Sequence, residues 1–155
     1  LLEELILKHK PKKILEVGTL VGYSAIVMGR VAESDARIMT IELNASLAAV
    51  AQKNIAKAGL DDKITVIVGN ALQKIPELTD QYDLIFVDGA KEEYIQYVKL
   101  LDEKNMHAGT IVVADNVKMF ANDLDDYLDH VRSSGLYEST YHDFGFDALE
   151  VSVKK

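Results

Sequence analysis

The chain has 155 residues, 48% hydrophobic and 27% charged, with a net charge of −8 and no cysteine. That length suits one domain with a real core, the apolar runs are too short to span a bilayer, and the acidic balance argues against a polyanion as main partner, because neutralising phosphates needs a Lys/Arg surface. Without thiols there is no disulfide and no thiolate metal site, which fits a cytoplasmic protein and leaves oxygen or imidazole to hold any metal.

Leu1, Leu2, Leu5 and Ile6 recur at helical spacing, and Pro11 stops that helix. No initiator Met and no secretory-signal pattern precede them, so a trimmed chain is expected. Lys13 to Val17 reads as a strand, followed by the turn Gly18 to Gly22 and a helix from Tyr23 to Val31. A second strand, Arg37 to Glu42, leads through Asn44 as N-cap into a helix from Ser46 to Ala58 closed by Gly59. A third, Ile64 to Val68, precedes a short helix from Ala71 to Ile75 that Pro76 ends. A fourth, Leu84 to Val87, runs through Asp88-Gly89 into a helix from Glu92 to Leu101, and a fifth, Thr110 to Ala114, precedes a helix from Leu124 to Ser133. Strands alternating with helices at this spacing predict an α/β, doubly wound, mostly parallel sheet. The tail differs. TYHDF and DALEVSV around Gly145-Phe146 predict a C-terminal antiparallel hairpin at a mixed sheet edge.

In such a sheet ligands bind beyond the carboxyl ends of the strands. Glu16 with Gly18, Glu42, Asp88 and the pair Asp115-Asn116 all stand there, spread over about a hundred positions of sequence. The glycine turn lets backbone approach a ligand, and Glu42, 24 residues after Gly18, is placed to accept ribose hydroxyls. Leu20 stands where a GxGxxG motif has its second glycine, so a nucleoside without a diphosphate fits better than a dinucleotide. Glu16 would repel phosphate and suit a cationic or amine-bearing ligand. The plain alternative is a tight βα turn with Glu42 as a solvated strand end.

Asp88, Asp115 and Asn116 offer three hard oxygen ligands, a set that suits Mg²⁺ and leaves positions for a bidentate substrate. Lys91 follows Asp88 by three residues. A nearby cation and partial burial would lower its pKa and make it usable as a general base. DG and DN are also turn formers, and the plain reading of Lys91 is one more exposed lysine. Glu150 alternates with Leu149 and Val151, which predicts a solvent-facing glutamate. The histidines show no ligand spacing, and Tyr23, Tyr94 and Tyr97 read as packing residues.

Taken together, LEVGTLVGYSA, IELN, FVDGAKEEY and ADNV resemble the catechol O-methyltransferase family, including its bacterial and plant cation-dependent relatives. The resemblance runs from about residue 12 to the end, with the motifs in the family's order. It implies a Rossmann-like sheet with a reversed final hairpin, S-adenosylmethionine, and Mg²⁺ or another divalent cation. It also implies that Glu16, Gly18 and Ser24 surround the methionine part of the cofactor, that Glu42 holds its ribose, that Asn70 and Ala71 in VGNALQ contact its adenine, and that Asp88 borders it. Asp88, Asp115 and Asn116 would be the metal triad, Lys91 the base, and Glu150 the group that binds the acceptor's second hydroxyl. The acceptor would be a catechol-like or other vicinal-diol small molecule.

The family carries further helices before the first strand, where this chain has only LLEELILKH, so the expectation is a single methyltransferase domain, 1–155, with those helices truncated. Apolar surface left without that cover would favour a homodimer. Ala90 stands where the catechol enzymes have a large aromatic. The alternatives are a methyltransferase acting on a hydroxylated nucleoside in tRNA, against which the acidic balance weighs, and a non-catalytic cofactor-binding module.

Overall fold

The computed structural model describes residues 1–155. Its strands are β1 (Lys13–Val17), β2 (Arg37–Glu42), β3 (Ile64–Val68), β4 (Tyr82–Val87), β5 (Met106–Ala114), β6 (Tyr137–Asp143) and β7 (Ala148–Lys154). Its helices are α1 (Leu2–His9), α2 (Tyr23–Val31), α3 (Ala45–Lys57), α4 (Ala71–Lys74), α5 (Tyr94–Lys104) and α6 (Asp125–Ser133), with single 3₁₀ turns at Ile75–Glu77 and Lys91–Glu93. The strands make one seven-stranded sheet in the order β3-β2-β1-β4-β5-β7-β6. β1 to β5 are parallel, and β7 runs antiparallel to both β5 and β6. This is the expected doubly wound, Rossmann-like sheet with a reversed hairpin. No helix is long and apolar enough to cross a membrane.

Local chemistry sets most element ends. Asn44 caps α3 by accepting from the backbone N–H groups of Ser46 and Leu47 at 2.9 and 3.2 Å, as expected. Pro76 does not end structure outright but sits inside the 3₁₀ turn that follows α4. β5 starts at Met106 rather than Thr110, because a register shift between Tyr82 and Leu84 lets the strand begin on the far side of Gly109, whose φ is +94°. The Thr110 hydroxyl accepts from His107 N–H and donates to the Tyr82 carbonyl there, at 3.0 and 2.8 Å.

Successive β1 residues point to opposite faces, and both faces are covered. Leu15 and Val17 enter a core beneath α5 and α6, while Ile14 enters a second core with Ala25 and Met28 of α2 and Ile55 of α3. Glu16 follows Ile14 into that second layer, directly opposite Thr40 of β2. The alternation that fills the core therefore also buries a carboxylate beside it. Tyr23 is not a packing residue. It is 77% exposed, whereas Tyr94 and Tyr97 are buried as expected.

Candidate active site

β1 is flanked by β2 on one side and β4 on the other. Chain connections leave the sheet in opposite directions there, and the resulting crevice opens at the carboxyl ends of the strands. It contains a cleft of about 430 Å³ bordered by Gly18, Glu42, Asn70, Ala71, Asp88 and Tyr97. A neighbouring hollow of about 370 Å³ shares Gly18 and Asp88 with it and extends to Ser24, Tyr23 and Asp115.

Gly18 shapes the floor. Its φ is +105°, and a Cβ there would lie 2.3 Å from the carbonyl oxygen of Asp88. Only glycine allows the β1 turn to press against the end of β4. Its N–H donates to the Ile41 carbonyl at 3.0 Å, tying the same turn to β2. Leu20, also at positive φ, donates its N–H to Glu42 at 2.8 Å, and the other Glu42 oxygen accepts from Asn44 N–H at 2.8 Å. These contacts fix the Glu42 carboxylate at the cleft wall, so it is not a free strand end. Asn70 caps α4 through Leu72 N–H at 2.8 Å and borders the same cleft.

Glu16 is fully buried and accepts hydrogen bonds from the hydroxyls of Ser24 and Thr40; Thr40 in turn pairs with Thr19 at 2.5 Å. Burial pushes its carboxyl up to about 7, the hydroxyls pull the other way, and the charges of Asp88 and Glu42 add to the rise. Because this value lies above the ordinary 4.5, the folded protein holds a proton that the unfolded chain gives up. Stability from this group is full below the unfolded value and is lost as the pH rises to about 7, by about 3 kcal/mol. Glu16→Gln is expected to remove that slope and to be more stable than wild type at pH above about 7. Denaturant unfolding of both proteins across this range checks it, and a difference that does not vary with pH would count against it.

At the front of the crevice Lys91 Nζ donates to Asp88 at 2.8 Å and to the Tyr94 hydroxyl at 2.8 Å. Tyr94 donates to the Asp115 carbonyl at 3.3 Å, and its phenol is held up by burial. Lys91 is only 15% exposed, and its ammonium lies over the rings of Tyr94 and Phe120. Asp115 is pushed up by burial first and then by the charge of Asp88. Asn116 has a φ of +61°, donates its N–H to Asp115 Oδ1 at 2.7 Å, and donates its side-chain Nδ2 to Asp147 at 2.7 Å. The fold thus brings Asp88, Lys91, Asp115 and Asn116 to one edge. The oxygen set is two carboxylates and an amide; no group of three or more His, Cys, Asp and Glu side chains suited to a metal occurs.

Glu150 departs from the expectation of a solvent-facing glutamate. It is 1% exposed, and both its oxygens accept from Arg132 of α6, at 2.8 and 2.7 Å. β7 lies between β5 and β6 with α6 across one face, so its polar side meets a helix instead of water. Glu150 stands in register with Ala114, beside Asp115 at the end of β5. Asp147 is the residue that pattern reading missed. Burial pushes its carboxyl up, but the Asn116 amide and the N–H groups of Ala148, Met119 and Lys118 outweigh this and hold it below the usual carboxylate range. Its signal was present in the expected hairpin, since the start of an antiparallel strand shares an edge with the ends of its parallel neighbours.

Residues 1–136 match the family model described as O-methyltransferase. Catechol O-methyltransferase of Sus scrofa is 37% identical over all of this chain and 89% of its own length. The Mus musculus enzyme is 32% identical over 97% of this chain, which spans only 58% of that longer protein. Among solved structures, a putative O-methyltransferase from Klebsiella pneumoniae has a TM-score of 0.92 at 27% identity, covering 99% of this chain and 78% of that one. The Bacillus cereus O-methyltransferase solved in complex with SAH has a TM-score of 0.91 at 26% identity, covering 99% of this chain and 79% of its own. The chain therefore belongs to the O-methyltransferase family and is similar within it to the catechol O-methyltransferases.

Proposed function

We propose that this enzyme moves a methyl group from S-adenosylmethionine to one hydroxyl of a catechol-like small molecule, with Mg²⁺ held by Asp88, Asp115 and Asn116. The observation that carries the reading is the adjacency of a nucleoside-sized cleft to an acidic edge bearing one lysine, with Asp88 bordering both. The donor set fits a hard cation, and the upward push on Asp115 from the neighbouring Asp88 charge is a repulsion that a cation would relieve. Bound there, Mg²⁺ would act as a Lewis acid toward adjacent acceptor oxygens.

The chain's own residues supply the rest. Glu42 is fixed by two backbone N–H groups at the cleft wall, and its remaining lone pairs would accept from the ribose hydroxyls. Asn70 and Ala71 border the base end, and Glu16 with Ser24 receives the amine end of the cofactor behind the Gly18 turn. Lys91, braced by Tyr94, would give up the proton of its ion pair with Asp88 to solvent when a cation takes its place beside that carboxylate, and as the neutral amine would take the acceptor's hydroxyl proton. Holding both reactants in line is the dominant contribution, worth about 7–11 kcal/mol in favourable cases.

The test is calorimetric. S-adenosylmethionine is titrated into the protein, then catechol into the complex, with Mg²⁺ and with chelator. Cofactor binding followed by Mg²⁺-dependent catechol binding is expected; no metal-dependent second event would overturn the acceptor reading. Because Glu16 titrates near pH 7, arrival of a cationic amine should expel its proton. The cofactor's binding heat at pH 7 should then vary with the buffer's ionisation heat in wild type and lose that dependence in Glu16→Gln.

A further inference from the structure

An asparagine offers a cation site either a ligand or an obstacle, because its oxygen can coordinate and its NH₂ cannot. At Asn116 the backbone leaves little choice of position. Its N–H is bound to Asp115 Oδ1 at 2.7 Å, and its carbonyl accepts from Phe120 N–H at 3.1 Å. What remains free is a half-turn of the side-chain amide. One side of that amide meets Asp147, whose two oxygens have different tasks. Asp147 Oδ1 accepts from the N–H groups of Ala148, Met119 and Lys118 at 2.8, 3.1 and 3.3 Å, while Oδ2 accepts from Asn116 Nδ2 at 2.7 Å.

We infer that Asp147 is a positioning residue: by accepting only, it forces the Asn116 amide to turn its NH₂ inward and present its oxygen to Asp88 and Asp115. The inference rests on the proposal that Asn116 is a cation ligand. An ionised carboxylate has no donor to offer, so the reverse orientation would set two oxygens against each other. The three backbone N–H groups prevent Asp147 from turning away, and they belong to the segment after β5 and to the first residue of β7. Hydrogen-bond partners that orient a metal ligand in this way are worth about 10- to 100-fold in metal affinity.

The chemistry allows a polarity swap. In Asp147→Asn the new side chain keeps its oxygen on the three N–H groups, since turning would point its NH₂ at three donors. Its NH₂ then faces Asn116, which must flip to accept and so turns its own NH₂ toward the cation. In the double variant Asp147→Asn with Asn116→Asp, the amide introduced at position 147 donates to the carboxylate introduced at position 116, whose second oxygen is free to coordinate.

Mn²⁺ binding to the whole chain, followed by electron paramagnetic resonance of the free ion, tests this. Calorimetric affinity for S-adenosylmethionine and the melting temperature serve as controls. Asp147→Asn should lose about 10- to 100-fold in Mn²⁺ affinity with cofactor binding unchanged, and the double variant should regain it. Wild-type affinity in Asp147→Asn, or a double variant no better than the single one, would overturn the positioning role. Failure of wild type itself to bind Mn²⁺ would instead overturn the cation reading on which it rests. Should Asp147→Asn not fold, wild type still decides: the ¹⁵N-labelled Asn116 Nδ2 should stay protected from exchange in the Mg²⁺-loaded protein, and a freely exchanging NH₂ would refute the inference.

Discussion

Lys91→Ala is expected to lower turnover by about 10²- to 10⁴-fold, the usual worth of a positioned general base. Substrate KM should change little, and S-adenosylmethionine affinity should not change, because Lys91 does not border the larger cleft. The cost to folding is small. The ion pair with Asp88 is partly exposed and contributes at most about 1 kcal/mol, and Tyr94 keeps its bond to the Asp115 carbonyl. Lys91→Arg separates charge from chemistry. A guanidinium can pair with Asp88 as the ammonium does, but it stays protonated and cannot take a proton. The arginine variant should therefore be as slow as the alanine variant. Recovery of rate by arginine would make Lys91 an electrostatic clamp, and an unchanged rate in Lys91→Ala would remove it from the mechanism.

The second large effect belongs to a residue with no side chain. A methyl at Gly18 would lie 2.3 Å from the Asp88 carbonyl oxygen and 2.7 Å from its carbon, on backbone at a φ of +105°. Neither partner can retreat, since Asp88 N–H is bonded to the Val17 carbonyl at 2.8 Å. Gly18→Ala combines strain of about 1–3 kcal/mol with overpacking of about 1–3 kcal/mol. The displacement reaches both halves of the site, because Asp88 borders both hollows. Loss of S-adenosylmethionine affinity by about 100-fold or more, with loss of the Mg²⁺ response, is expected by calorimetry. Gly59→Ala is the control. Its φ is +69°, but nothing lies within 4 Å of a Cβ there, so it should cost only about 1–2 kcal/mol and leave binding intact. A Gly18→Ala protein that binds cofactor normally would show that the close approach is not required.

What the sequence discloses follows from how local each cause is. Strands β1 to β5 were legible because apolar runs ended by a glycine or an acid mark parallel strands wherever they pack. The Asn44 cap was legible because its partners are the next two residues but one. The start of β5 was not, because the shift opposite Tyr82 depends on a strand more than twenty positions away. Glu150 misled for the same reason. Alternation shows that a strand has two faces, but only the arrival of α6 decides that the polar face is dry and bound to Arg132. Glu16 could be set at the crevice from sequence, yet the hydroxyls of Thr40 and Ser24 that make its burial tolerable come from another strand and a helix. Asp147 was the hardest, because its meaning lies in Asn116, 31 residues earlier.

The reversal of β7 also sets an order of assembly in time. Everything that borders the larger cleft lies between Val17 and Tyr97, whereas Asp147 closes against Asn116 only through the last hairpin. During vectorial synthesis the chain emerges amino end first, and its earlier parts fold first. A ribosome-bound chain thus possesses every residue that borders the larger cleft some fifty codons before Asp147, the partner of the proposed cation ligand, has been made. On the proposed reading, the residues that would hold the methyl donor are all made before the one that would orient the cation ligand.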